Sequence, residues 1–252
     1  MKTILEVKDL TKTFATEGKA DLTAIDHINF RLSQGETLGI VGESGSGKST
    51  LARAITRLID VTEGTISLCG EDITREKGKK LREAYKKIQM IFQNPFSSFD
   101  PRKSLGHGIG ESLRNSGVPK EEAKKRVLEL LGQCGLPEEF YDRYPHEVSG
   151  GQCQRAAIAR ALAVRPKIVI CDEATSALDV TVQQQIMELL DSFRKEHQIS
   201  YLFICHNLAL VQQFCDRVLV MKDGRIVEEG TPDEVILNPK EEYTKMLVES
   251  VF

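Results

Sequence analysis

Gly42-Glu43-Ser44-Gly45-Ser46-Gly47-Lys48-Ser49, followed by Thr50, fits the pattern G-x-x-x-x-G-K-[ST]. Glycines let successive backbone N–H groups converge on one anion without Cβ clashes. A helix opening at the end of such a loop adds about +0.5 elementary charge. Lys48 then reaches the β- and γ-phosphates of a nucleoside triphosphate, and the Ser49 hydroxyl can ligate Mg²⁺. A second constellation is Ile168-Val169-Ile170-Cys171-Asp172-Glu173, an apolar run ending in two carboxylates. At the carboxyl edge of a parallel sheet such side chains face the ligand crevice. Asp172 suits Mg²⁺, through water, and Glu173 suits polarising an attacking water. There is no Asn-Lys-x-Asp guanine motif, which favours an adenine nucleotide. Val148-Ser149-Gly150-Gly151-Gln152 opens an apolar helix and makes another anion seat. One nucleotide does not need two seats, and alone this segment reads equally well as an ordinary helix cap.

These residues need elements to hold them. Thr3–Phe14, Ala24–Leu32 and Thr37–Val41 read as strands, and Leu51, Ala54, Ile55 and Leu58 recur at helical spacing within Thr50–Ile59. Strand, glycine loop and helix therefore follow in order. Thr65–Leu68 and Ile88–Phe92 are further strands, with the basic Lys77–Lys87 between them as an exposed helix or loop. From Asn94 to Tyr144 the pattern turns helical. Pro119 can open a helix, Glu121 and Glu122 suit its first turn, and Ala123, Val127, Leu130, Leu131 and Cys134 form one apolar stripe. Strand Lys167–Cys171, helix Val182–Glu196, strand Tyr201–Cys205 and a helix near Leu208–Phe214 follow. Asp223-Gly224 between Arg217–Met221 and Arg225–Glu229 marks a hairpin. Pro232–Val251 reads as two short helices.

Composition narrows the class. The 252 residues are 40% hydrophobic and 28% charged, an ordinary globular balance. The net charge of −3 argues against a nucleic-acid partner. No apolar run approaches the roughly 18–20 residues of a membrane helix, and the N-terminus lacks a signal-peptide core. Service to a membrane would therefore be peripheral. The six cysteines form no Cys-x-x-Cys pair, so free, mostly buried thiols are expected.

The ensemble is more specific than its parts. In order it comprises the glycine loop, Gln93 after an apolar strand, Ser149-Gly150-Gly151-Gln152, the acidic strand end, Ser176-Ala177-Leu178-Asp179, and His206 after a strand. Over essentially the whole chain this resembles the ATP-binding-cassette (ABC) ATPases. The resemblance implies an α/β fold: a P-loop NTPase (RecA-like) core, an N-terminal antiparallel β subdomain and an inserted helical subdomain. Residues 1–94 and 161–252 would be the core and about 95–160 the helical part of one ATPase domain. It also implies that two cassettes pair head to tail, the signature of one closing on the ATP of the other. Phe14 would stack on adenine. Gly42, Glu43, Ser44, Gly45, Ser46, Gly47, Lys48, Ser49 and Thr50 would hold the phosphates. Ser49, Gln93 and Asp172 would hold Mg²⁺. Glu173, His206 and Gln93 would act on the water and the γ-phosphate. Ser149, Gly151, Gln152 and Asp179 would complete the opposite site.

Further stretches resemble the oligopeptide/dipeptide/nickel importer branch: Met90 to Arg102, Tyr144 to Gln152, and Asn238-Pro239 ahead of Tyr243-Thr244. This implies a second, homologous ATPase chain, two membrane permease subunits, an extracytoplasmic solute-binding protein acting indirectly, and a place on the cytoplasmic face of the cell membrane. The solute would be a peptide or a nickel or other metal chelate, and a chain ending at Phe252 leans slightly to the metal. Cys153 stands where the branch has Arg, and is expected to alter coupling or redox sensitivity beside the dimer seam. Asn207 in place of Asp is expected to be neutral. Phe96 and Phe99 in Asn94–Arg102 are expected to face a membrane subunit. One competing reading is an ABC ATPase of the repair or translation type; no heptad run between Lys48 and Ser149 supports it. A non-hydrolysing module is the other, and the intact Lys48, Asp172, Glu173 and His206 oppose it.

Overall fold

The computed structural model describes residues 2–15, 18, 21–176 and 178–250. Ala177 of the Ser176–Asp179 stretch, and Val251 and Phe252 at the end of the tail, lie outside the described residues. The first strands are β1 (Thr3–Phe14), β2 (Leu22–Ser33) and β3 (Thr37–Val41). The glycine loop joins β3 to helix α1 (Lys48–Ile55). Then come β4 (Glu63–Leu68), the two-residue β5 (Glu71–Asp72), α2 (Gly78–Lys87) and β6 (Ile88–Ile91). Helices α3 (Leu105–Ile109), α4 (Glu111–Asn115), α5 (Lys120–Gln133) and α6 (Gly150–Leu162) intervene before β7 (Ile168–Asp172). The chain continues through α7 (Val180–His197), β8 (Ser200–Ile204), α8 (Leu208–Phe214), β9 (Arg217–Lys222) and β10 (Arg225–Gly230). It closes with α9 (Pro232–Leu237) and α10 (Glu242–Glu249).

Two sheets result. The four-stranded one is antiparallel, in the order β2-β1-β4-β5. The six-stranded one runs β10-β9-β3-β8-β7-β6, parallel except for β10. Its strands β3, β7 and β8 are buried throughout because both faces are covered. Leu38, Ile40, Ile168, Ile170, Leu202, Ile204, Leu219 and Met221 pack toward α1 and the antiparallel sheet. Their alternates Val169, Cys171, Tyr201, Phe203, Val218 and Val220 face the other side. This is the period-two side-chain alternation of a strand, with an apolar layer on each side. The second layer is continuous with the core of α3–α6, where the expected stripe Ala123, Val127, Leu130, Leu131 and Cys134 is buried.

The differences from expectation are local. Helix α1 starts at Lys48 and stops at Ile55, not Thr50 to Ile59, because Arg57 takes φ +58° and turns inward. Its guanidinium bonds the Ile73 carbonyl at 3.1 Å and Asp60 at 2.9 Å. Lys77–Lys87 is a helix from Gly78, with only Ala84 buried. Strand β5 is two exposed residues, too short to leave a periodic signal. Cys153 is fully buried, and burial pushes its thiol up to about 12. It therefore packs the core of α6, and the expected redox sensitivity at a seam does not follow. Phe99 is likewise buried, against Gly108 of α3, whereas Phe96 is 41% exposed. The expected aromatic surface reduces to Phe96.

Candidate active site

The loop conformation follows from its glycines. Gly42 has φ +149°, and a Cβ there would lie 2.1 Å from the Met221 carbonyl oxygen. Gly47, at φ +102°, caps α1, and a Cβ there would lie 2.4 Å from the Ala24 carbonyl oxygen. No other residue type fits either place without moving backbone. Helix α1 then presents its first N–H groups, which have no intrahelical acceptor, toward the loop.

Inside the loop, Lys48 is 5% exposed. Its ammonium donates to the Gly42 and Glu43 carbonyls, both at 2.7 Å, and to Ser46 Oγ at 3.2 Å. Burial holds its pKa below the usual lysine range, against the pull of Glu173, Asp172 and Glu43. An ammonium so enclosed, with loop carbonyls as its acceptors, is suited to exchange them for phosphate oxygens.

The acidic strand end meets the loop. Ser49 Oγ donates to Asp172 Oδ1 at 2.9 Å. Asp172 is buried, and burial raises its pKa above the carboxylate range; the Ser49 bond lowers it in part, and Glu173 raises it further. Glu173 follows with φ +50°, and its N–H donates to the Ile204 carbonyl at 3.0 Å. A non-glycine residue in the left-handed region at the end of a buried strand is local strain held by its surroundings. Gln93 Nε2 donates to Glu173 Oε2 at 2.8 Å and to Ser176 Oγ at 3.4 Å. The structure thus joins Ser49, Asp172, Glu173, Gln93 and Ser176 by direct bonds. His206 is exposed just past β8, the strand between β3 and β7. Asn207 accepts from Ala209 and Leu210 N–H at 3.0 and 3.3 Å, so an amide fills the N-cap role of α8.

Among the described residues, no hydrogen bond joins the other expected residues to this cluster. Ser149 caps α6: its Oγ accepts from Gln152 N at 3.3 Å, and Gln152 Oε1 accepts from Ser149 N at 2.9 Å. That is a reciprocal capping box. Gly151 lies against Val182 of α7. Asp179 is exposed and caps α7, accepting from Val182 N at 3.0 Å. Phe14 ends β1 at 39% exposure, with Lys12 Nζ 4.8 Å from its ring centroid, so it is not a core residue. One contact left no sequence signal: Glu43 N–H donates to Tyr243 Oη at 2.9 Å, across 200 positions.

A parallel sheet whose central strand feeds a phosphate loop, with an acidic neighbouring strand and a separate helix-cap signature, defines an ATPase cassette. A family model described as ABC transporter matches residues 25–176. The chain is 46% identical over 260 residues to the oligopeptide transport ATP-binding protein OppF of Salmonella typhimurium, covering 99% of this chain and 78% of that one. It is 41% identical over 254 residues to the di/tripeptide transport ATP-binding protein DppF of Pseudomonas aeruginosa, covering 98% and 79%. Among solved structures, dimeric MJ0796, a bacterial ABC transporter cassette, is 32% identical with a TM-score of 0.83, covering 91% and 99%. The same cassette in a dimeric post-hydrolysis state with ADP and phosphate gives 31% and 0.82, with the same coverage. The chain belongs to the ABC transporter family. It is an ABC ATPase, which hydrolyses ATP to power transport.

Proposed function

We propose that this chain is the ATP-hydrolysing subunit of an oligopeptide or dipeptide importer, held at the cytoplasmic face of the membrane by permease subunits. The carrying observation is the bonded set Ser49–Asp172 and Gln93–Glu173 around the phosphate loop. The relatives reported are named for peptide transport, so the slight lean toward nickel gains no support.

The donors near the loop are a hydroxyl, a carboxylate and an amide, all oxygen ligands, as a magnesium ion requires. Ser49, Asp172 and Gln93 would hold it, and when bound it would offset charge on the phosphates. Among the described residues no group of three or more His, Cys, Asp or Glu forms a metal cage. A nucleotide-borne magnesium does not need one. Glu173 takes a proton from the attacking water, whose oxygen bonds the γ-phosphorus while the bond to ADP breaks. Gln93 and His206 orient that water and the γ-phosphate. Gly42 to Thr50 bind the triphosphate, and Phe14 offers its exposed ring to adenine. Ser149, Gly151, Gln152 and Asp179 serve the ATP of a second cassette. Residues about 95–160 act as a helical subdomain that Gln93 links to the site. An open cleft of about 990 Å³, lined by Leu58, Tyr85, Met90, Phe92, Asn115 and Arg160 among others, suits a segment of a membrane subunit.

Glu173→Gln tests the reading. The amide keeps the shape and cannot take the proton, so turnover should fall about 10²–10⁴-fold while ATP binding persists. Light scattering should show an ATP-dependent dimer. Retained turnover, or no ATP binding by either protein, would defeat it. In the assembled transporter, peptide-loaded binding protein should stimulate hydrolysis and a nickel chelate should not.

A further inference from the structure

The phosphate loop is held from outside by parts of the chain that the mechanism does not use. Gly224, in the turn between β9 and β10, donates its N–H to the Ser46 carbonyl at 3.0 Å. Met221 of β9 abuts Gly42. The third hold is Tyr243 of α10, whose hydroxyl accepts the Glu43 N–H at 2.9 Å. Glu43 is a junction: the carbonyl before its N–H, that of Gly42, accepts Lys48 Nζ at 2.7 Å, and its own carbonyl accepts Lys48 Nζ at 2.7 Å and Ser46 N–H at 3.2 Å.

Tyr243 is itself fixed. Its side chain is buried apart from a small edge, with Lys222 Nζ 4.8 Å from the ring centroid. The start of α10 is tied to β10 by Glu228, whose carboxylate accepts from Lys240 N at 2.9 Å and Glu241 N at 3.1 Å. A buried acceptor on an anchored helix therefore meets a backbone donor of the loop. When Lys48 turns to phosphate it releases the Gly42 and Glu43 carbonyls; the Ser46 bond still holds the Glu43 carbonyl, and the Tyr243 bond holds the Gly42–Glu43 peptide through its N–H.

We infer that Tyr243 is a positioning residue for the phosphate loop, so that the C-terminal helix sets this chain's affinity for ATP through the Glu43 N–H. The inference rests on the nucleotide site proposed above. Tyr243→Phe removes one oxygen and keeps the ring and its packing. One neutral hydrogen bond corresponds to about a two- to tenfold weaker affinity for a ribose-labelled fluorescent ATP, with turnover at saturating ATP little changed. Hydrogen exchange gives a readout independent of nucleotide. Without ATP, the Glu43 amide of the wild type should be protected and that of Tyr243→Phe should exchange faster. Packing alone would leave that amide unmoved. Met246→Ala, on the exposed side of the same helix, is the control and should match the wild type in both measurements. Thermal midpoints establish that each variant folds; should Tyr243→Phe not fold, an unprotected Glu43 amide in the nucleotide-free wild type overturns the inference and a protected one supports it. Wild-type ATP binding with unchanged affinity and exchange in Tyr243→Phe overturns the inference alone. A wild type that binds no ATP, yet shows the exchange difference, overturns the nucleotide-site reading and leaves the brace itself supported.

Discussion

Asp172 shows how a residue fitted to a ligand can oppose the fold that carries it. Its carboxyl is 6% exposed and sits above the usual carboxylate range, chiefly because burial disfavours the anion. A folded pKa above the unfolded one means that the folded chain holds the extra proton. The stability linked to it is present in acid and is lost as pH rises through the folded value. At neutral pH the ionised carboxylate is thus a cost to the nucleotide-free protein. Lys48 has the opposite sign: its pKa is lowered by burial, so its contribution improves as pH rises through that lowered value toward the unfolded one. Asp172→Asn keeps an oxygen for the Ser49 hydroxyl and removes the buried charge. We predict that it raises the melting temperature of the nucleotide-free protein at pH 7, by roughly 2–4 °C for each kcal/mol gained. The gain should shrink toward acid, and magnesium-dependent turnover should be lost. Calorimetry from acid to neutral pH checks this; a gain confined to acid, or none, would contradict it.

At the scale of elements, Phe96 and Phe99 divide between two jobs that the sequence presents as one. Phe99 is 7% exposed and fills the space beside Gly108, while Phe96 stands 41% exposed on the same short segment. Phe99→Ala should cost about 3–5 kcal/mol in denaturant unfolding. Phe96→Ala should stay within about 0.5 kcal/mol of the wild type and lose stimulation by the membrane subunits. Equal stability of the two variants would contradict this division. The distinction was invisible in the sequence because both are aromatic residues in a loop, where no period assigns a face. Where a period exists, the sequence was readable. The limits of β3 and α8 match the expectation residue for residue, and the stripe on α5 is buried as a stripe. Boundaries failed where tertiary contacts end an element, as the inward turn of Arg57 ends α1. The loop and the acidic strand end were legible because their chemistry fixes residue types at fixed spacing. The Tyr243 contact was not, since a backbone N–H carries no side-chain identity for a pattern to record.

For the whole molecule, the proposed roles give one chain half of each of two sites. Its phosphate loop and acidic strand end are bonded together, whereas Ser149 and Asp179 are exposed and cap their own helices. Val180, next to Asp179, is 79% exposed, a large apolar side chain left open to solvent among the described residues. On that proposal, closing two such chains would trade solvent at these positions for contact with a nucleotide, so association should follow ATP. We predict that the isolated protein is mainly monomeric and a weak ATPase, and that full activity needs a second, homologous cassette and the permease subunits. A hydrophobic side chain at the seam is worth about 1.5–3 kcal/mol when fully buried. Val180→Lys should therefore weaken ATP-driven pairing by at least about tenfold and leave the fold intact. Co-expression with a candidate partner cassette and the permease genes, followed by native mass measurement, identifies the pair that forms. An active transporter with two copies of this chain and no other ATPase would disprove the heterodimer, and a Val180→Lys protein that pairs as the wild type does would move the seam elsewhere.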